Sequence, residues 1–129
     1  MKKQDTLLRL RRFRVDELKR RMATLDGMKA DMEKKLADLE DSVARERQRA
    51  SDTDIGRLAF PSFLKSIEVR REKLKDTLKD LERERAACQE ELSSAYQDLK
   101  SLEFANEQQE KRLAEIEARR AQSCDRVNA

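Results

Sequence analysis

The feature that most restricts this chain is an apolar period of about 3.5 residues that runs without interruption from Phe60 to Ile116. Alternate steps of four and three residues pass through Leu64, Ile67, Arg71, Leu74, Leu78, Leu81, Arg85, Cys88, Leu92, Ala95, Leu99, Leu102, Asn106, Gln109 and Leu113. Most of these are apolar, and mostly charged or small polar residues lie between them. Such a seam on a helix needs a second helix to cover it. With 44% charged residues, 37% hydrophobic, two Gly and one Pro in 129 residues, the composition suits long helices better than a globular core. Disorder is the other reading of so charged a chain, and the sustained heptad argues against it.

A shorter seam precedes this one. Val15, Leu18, Met22, Leu25, Lys29, Met32, Leu36, Leu39 and Val43 repeat with the same spacing, and Gly27 falls on the outward face. Between the seams, residues 51–61 collect Ser51, Asp52, Thr53, Asp54, Gly56 and Pro61, which cap or interrupt helices. The pattern predicts helix one over about 5–50, a hinge over about 51–61, helix two over about 62–122 and a C-terminal tail over 123–129. A short connection makes the helices antiparallel. The expected fold is therefore all-α, a long antiparallel two-helix coiled-coil hairpin forming a single unit over 1–129. Folding about residue 56 sets residue i opposite about residue 112 − i. That register puts Arg71 near Glu40 and Asp41, and Lys29 near Arg85 with Asp26, Glu82 and Glu84 to relieve the basic layer. It also places the polar Asn106 and Gln109 where helix one runs out. The alternative is an extended homodimer acting as a scaffold or spacer, with twice the monomer mass.

Function is expected to lie in binding. The chain has no His, no Gly-rich phosphate loop and no metal-ligand cluster, so no catalytic residue, cofactor, metal or small-molecule substrate is expected. Cys88 and Cys124 lie about 54 Å apart if one helix carries both, and are read as free thiols in a reducing cytoplasmic setting. No signal peptide or membrane-spanning run is visible. Charge is unevenly placed: residues 1–21 hold nine basic and three acidic groups, against a net charge of +3 for the chain. A basic end can meet nucleic acid or an anionic membrane, but no nucleic-acid motif accompanies it, and an acidic protein cavity explains it equally well. The four Phe fall near the two ends of the expected hairpin. Leu10, Phe13 and Phe104 point away from the seams toward the open end, and Phe60 and Phe63 sit at the hinge as a second candidate contact. Each group is read either as docking surface or as local packing.

The opening Lys3-Gln4-Asp5-Thr6-Leu7-Leu8-Arg9-Leu10-Arg11-Arg12-Phe13-Arg14-Val15-Asp16-Glu17, and the mid-chain Phe60-Pro61-Ser62-Phe63 followed by Arg70-Arg71, resemble the flagellar FliJ family of the bacterial type III export apparatus, in its α-proteobacterial form. The resemblance covers nearly the whole chain in layout. It implies a cytoplasmic hairpin, similar in shape to the γ shaft of rotary ATP synthases, whose terminal end enters the central opening of the export ATPase hexamer. It also implies links to the export gate membrane protein and to export chaperones, with peripheral placement at the cytoplasmic face of the inner membrane. On this resemblance Arg9, Leu10, Arg11, Arg12, Phe13 and Arg14 face the ATPase ring, with Leu113, Ile116, Arg119 and Arg120 from the C-terminal extension. The gate contact is not assigned to residues. The equivalent stalk of a virulence-type secretion system is a further alternative.

Overall fold

A chain whose apolar residues repeat every three and four positions can hide them only along a line, and two helices share that line here. In the structure, a computed structural model describing residues 2–128 and the side chains of 5–127, α1 spans Lys2–Asp52 and α2 spans Asp54–Asn128. The side chains of Lys2, Lys3 and Gln4, part of the basic opening segment, lie outside the described residues, as does Ala129 of the expected tail. The two helices run antiparallel, giving the expected all-α coiled-coil hairpin. The chain divides into two compact units, one of Met1–Lys19 with Glu90–Ala129 and the other of Arg20–Gln89.

In the unit Arg20–Gln89 the buried line consists of Met22, Leu25, Val43, Ala50, Ile67 and Cys88. The intervening seam positions, including Leu36, Leu39, Leu74, Leu78 and Leu81, are half-buried. Each fully buried aliphatic side chain contributes about 1.5–3 kcal/mol relative to its exposed state, and this thin line is where the unit's stability comes from. Polar seam positions are matched across it. Arg71 Nε lies 2.7 Å from Glu40 Oε1 and Arg85 Nε 2.6 Å from Asp26 Oδ1. Lys29 Nζ lies 3.9 Å from Glu82 Oε1 and 4.0 Å from Glu33 Oε1. In the Arg71–Glu40, Arg85–Asp26 and Lys29–Glu82 pairs the residue numbers add to 111, one short of the value expected from the sequence. The basic layer at Lys29 and Arg85 is thus dispersed to opposite carboxylates. The Arg85 guanidinium has its pKa raised, first by its hydrogen bond to Asp26 and then by the charge of the same carboxylate.

The expected hinge over 51–61 is corrected: Thr53 alone separates the helices. Thr53 N–H still donates to the Arg49 carbonyl at 3.2 Å, while its Oγ1 accepts from Gly56 N–H at 3.0 Å, an N-cap that starts α2 eight residues before the sequence signals place it. The cap outweighs the bias of Pro61, which lies inside α2 and removes only one backbone donor there. Gly56 is required by proximity. A Cβ on it would stand 2.9 Å from the Arg49 carbonyl oxygen and 3.2 Å from Ala50 Cα. The expected tail over 123–129 is also corrected, since α2 continues through it to Asn128. No Gly or Pro interrupts that end.

In the other unit Val15, Leu18 and Leu99 are buried, and Leu92, Ala95, Leu102 and Asn106 are half-buried. The α1 seam continues below Val15 to half-buried Arg11 and Leu8, two further steps of the same spacing. Every residue from 109 to 127 is exposed, and from Leu113 on the α2 seam runs past the start of α1.

Candidate partner-binding surface

The first turns of α1 are built from Leu and Arg, both strong helix formers, with Asp5 placed against the positive end of the helix dipole. Spacing then sorts the side chains. Leu8, Arg11 and Val15 fall on the seam, whereas Leu10 and Phe13 fall off it and remain 60% and 58% exposed. On α2, Phe104 lies between the seam positions Leu102 and Asn106 on the outward face, 62% exposed. The unit therefore carries large apolar groups on the outer faces of both helices. A local shift that would pack Leu10 and Phe13 inward does not occur.

The arginines are divided in use. Arg11 Nη1 donates to the Asp98 carbonyl at 2.7 Å, so Arg11 closes the seam between the helices. Arg12 Nη2 lies 3.8 Å from Glu103 Oε1, and Arg14 bridges Glu17 at 3.0 Å and Glu91 at 3.3 Å. Glu103 also receives Lys100 Nζ at 3.4 Å, and that ammonium sits 5.3 Å from the centroid of the Tyr96 ring. The hydrogen bond to Glu103, then the charge of the same carboxylate and then Tyr96 raise the Lys100 pKa. Arg9 alone of the four N-terminal arginines makes no ion pair or side-chain hydrogen bond among the described residues. Three of the four thus hold α1 to α2, and Arg9 is the one whose charge is uncommitted. The role of Arg11 was available in the spacing, since stepping back from Val15 by four and three reaches Arg11 and Leu8.

Leu113 and Ile116, 48% and 45% exposed, continue the α2 seam past the cover of α1, with Arg119 and Arg120 also exposed one turn on. In the unit Arg20–Gln89, Phe60 and Phe63 are half-buried and packed against each other, with centroids 6.4 Å apart and planes at 26°. The exposed apolar groups beside them are Ile55 and Leu58, at 81% and 82%. Sequence reasoning passed over these two because they lay in a segment expected to be loop. Among the described residues no group of His, Cys, Asp and Glu is placed to hold a metal ion. No helix among them is long and apolar enough to cross a membrane.

In each unit two helices close on a seam and leave apolar and basic side chains outside it, which defines a coiled-coil protein whose outer surface is suited to binding others. A family model described as "Flagellar FliJ protein" matches residues 1–123. The chain belongs to the FliJ family, a non-catalytic component of the flagellar export apparatus. No curated protein and no solved structure matches it.

Proposed function

We propose that this protein is a coiled-coil stalk that binds the flagellar export ATPase hexamer and links it to the export gate membrane protein and the export chaperones, at the cytoplasmic face of the inner membrane. The observation that carries this reading is the pairing of Leu10 and Phe13 on the outer face of α1 with Phe104 on the outer face of α2. Apolar groups on two outward faces suit a partner that surrounds the helix pair, as the central opening of a ring does, better than one that touches a single side. Arg9 supplies the uncommitted cation for an acidic lining, while Arg11, Arg12 and Arg14 position the segment through α2. Leu113, Ile116, Arg119 and Arg120 extend the same unit and complete the ring-facing set. Ile55 and Leu58, with the Phe60–Phe63 pair, form the candidate second contact. Coupling ring states to the stalk requires contacts that differ between those states.

The test is the ATP hydrolysis rate of the cognate flagellar export ATPase, competent to form rings, with and without this protein at two salt concentrations. Stimulation is expected. Arg9→Glu should weaken the response mainly at low salt, and Leu10→Asp with Phe13→Asp should remove it at both. Full stimulation by both variants, with helix content unchanged, would refute the assignment.

A further inference from the structure

The α2 extension beyond α1 presents a continued seam with two charged edges of opposite sign, and their pattern specifies its cover. Within the unit, each edge of α2 faces a matching edge of α1. Arg12 meets Glu103 on one side, and Arg14 meets Glu91 on the other. Heptad steps from Glu103 along its edge give Glu110 and Glu117, so that edge stays acidic. Steps from Glu91 along the other edge give Asp98, Ala105, Arg112 and Arg119, so that edge changes from acidic to basic where the α1 cover ends.

The chain's own helices fit this extension poorly. A second copy of α1 would bring Arg14 and Arg21, on its own edge, against Arg112 and Arg119. A second copy of the extension laid parallel would match Arg112 to Glu117, but its α2 is continuous and would run back into the first turns of α1; laid antiparallel, it would set Glu110 and Glu117 against glutamates and Arg112 and Arg119 against arginines. Like charges across such edges destabilise pairing. We infer that Leu113 and Ile116 are covered by an amphipathic helix of a different protein, running antiparallel to α2, basic along the edge facing Glu110 and Glu117 and acidic along the edge facing Arg112 and Arg119. The antiparallel sense follows from α1. A helix continuing its line in the same direction brings its negative C-terminal dipole end to the positive N-terminal end of α1, whereas the reverse sense opposes two positive ends. The inference deepens the ring reading by specifying the surface that meets Leu113, Ile116 and Arg119, and the charge pattern that carries it stands without that reading.

Cys124 makes a direct test, because it lies one heptad past Glu117 on the acidic edge and is exposed and free, while Cys88 is buried. The full chain is equilibrated in a glutathione buffer with two synthetic helices of about 21 residues, both apolar at the seam and both bearing one cysteine on the edge that faces Cys124. One carries Lys on that edge and Glu on the other, and the second has the edges exchanged. The first peptide should be captured on Cys124 about tenfold over the second at low salt. The preference should disappear in the Leu113→Asp, Ile116→Asp double variant. Equal capture, preference for the exchanged peptide, or a preference that survives the double variant would overturn the inference. A disulfide-linked dimer of this chain that outcompetes the first peptide would do so too, by making a second copy the occupant. The assay contains no ATPase, so its failure is distinct from failure of the ring reading.

Discussion

The turn between the helices predicts opposite signs for one substitution at two places. At Gly27, where a Cβ would meet nothing within 4 Å, Ala removes only the entropic penalty of glycine in a helix. That gain is about 0.5–1 kcal/mol, or an unfolding midpoint higher by roughly 2–4 °C for a chain of this size. At Gly56 the same methyl would stand 2.7 Å from Thr53 Oγ1, 2.9 Å from the Arg49 carbonyl oxygen and 3.2 Å from Ala50 Cα. The hydroxyl is not free to swing aside, since it accepts from Gly56 N–H at 3.0 Å and donates to the Arg49 carbonyl at 3.4 Å. Forcing the helices apart costs about 1–3 kcal/mol and loss of the cap about 1 kcal/mol, against a propensity gain of about 1 kcal/mol. Gly56→Ala should therefore destabilise by about 1–3 kcal/mol and lower the midpoint by roughly 4–10 °C. Thermal and urea unfolding of the two single variants, followed by far-ultraviolet circular dichroism, measures both. A Gly56→Ala midpoint that rises as Gly27→Ala does would show that α2 does not start at Thr53 against the backbone of Arg49.

Other outcomes follow from burial and pairing. Leu74→Asp places a charge in the covered seam and should lower the midpoint by on the order of ten degrees, whereas Leu113→Asp, on the uncovered seam, should move it by less than about 2 °C. Equal effects in thermal unfolding would contradict the end of the α1 cover near Gln109. Lys100, its pKa raised by Glu103, should titrate above the ordinary lysine range in an NMR titration and return toward it in Glu103→Gln. Because the folded-state value is the higher one, the stabilising contribution is fully present below the unfolded lysine pKa and is lost as pH rises through the folded value. Salt-bridge loss at Lys100 should thus appear only in strongly alkaline solution, and a Lys100 signal unmoved by Glu103→Gln would refute the pairing.

Much of the fold could be read from periodicity. The spacing from Val15 to Val43 and from Phe60 to Leu102 located which side chains are covered, because a heptad reports directly which stripe of a helix must leave water. The antiparallel sense and the partners of Lys29, Arg71 and Arg85 followed from one fold point, since in a two-helix seam a single register sets every opposite pair. The family was legible in the opening segment and the Phe-Pro element. The candidate surface was only partly legible. Leu10, Phe13 and Phe104 were placed outward by spacing alone, but the division of labour among the arginines depended on atoms distant in sequence. Arg11 finds the Asp98 carbonyl 87 residues away, and no local pattern marks which guanidinium will reach across and which, like Arg9, will not. The turn escaped for a more local reason. Ser, Thr, Asp, Gly and Pro signal an interruption somewhere in 51–61, yet the choice of Thr53 came from a through-space fit among its hydroxyl, Gly56 and the Arg49 carbonyl. Composition and period thus determined that two helices cover one another and along which line. Tertiary structure decided where the cover begins and ends, because those limits rest on contacts between residues that only the completed pair brings together.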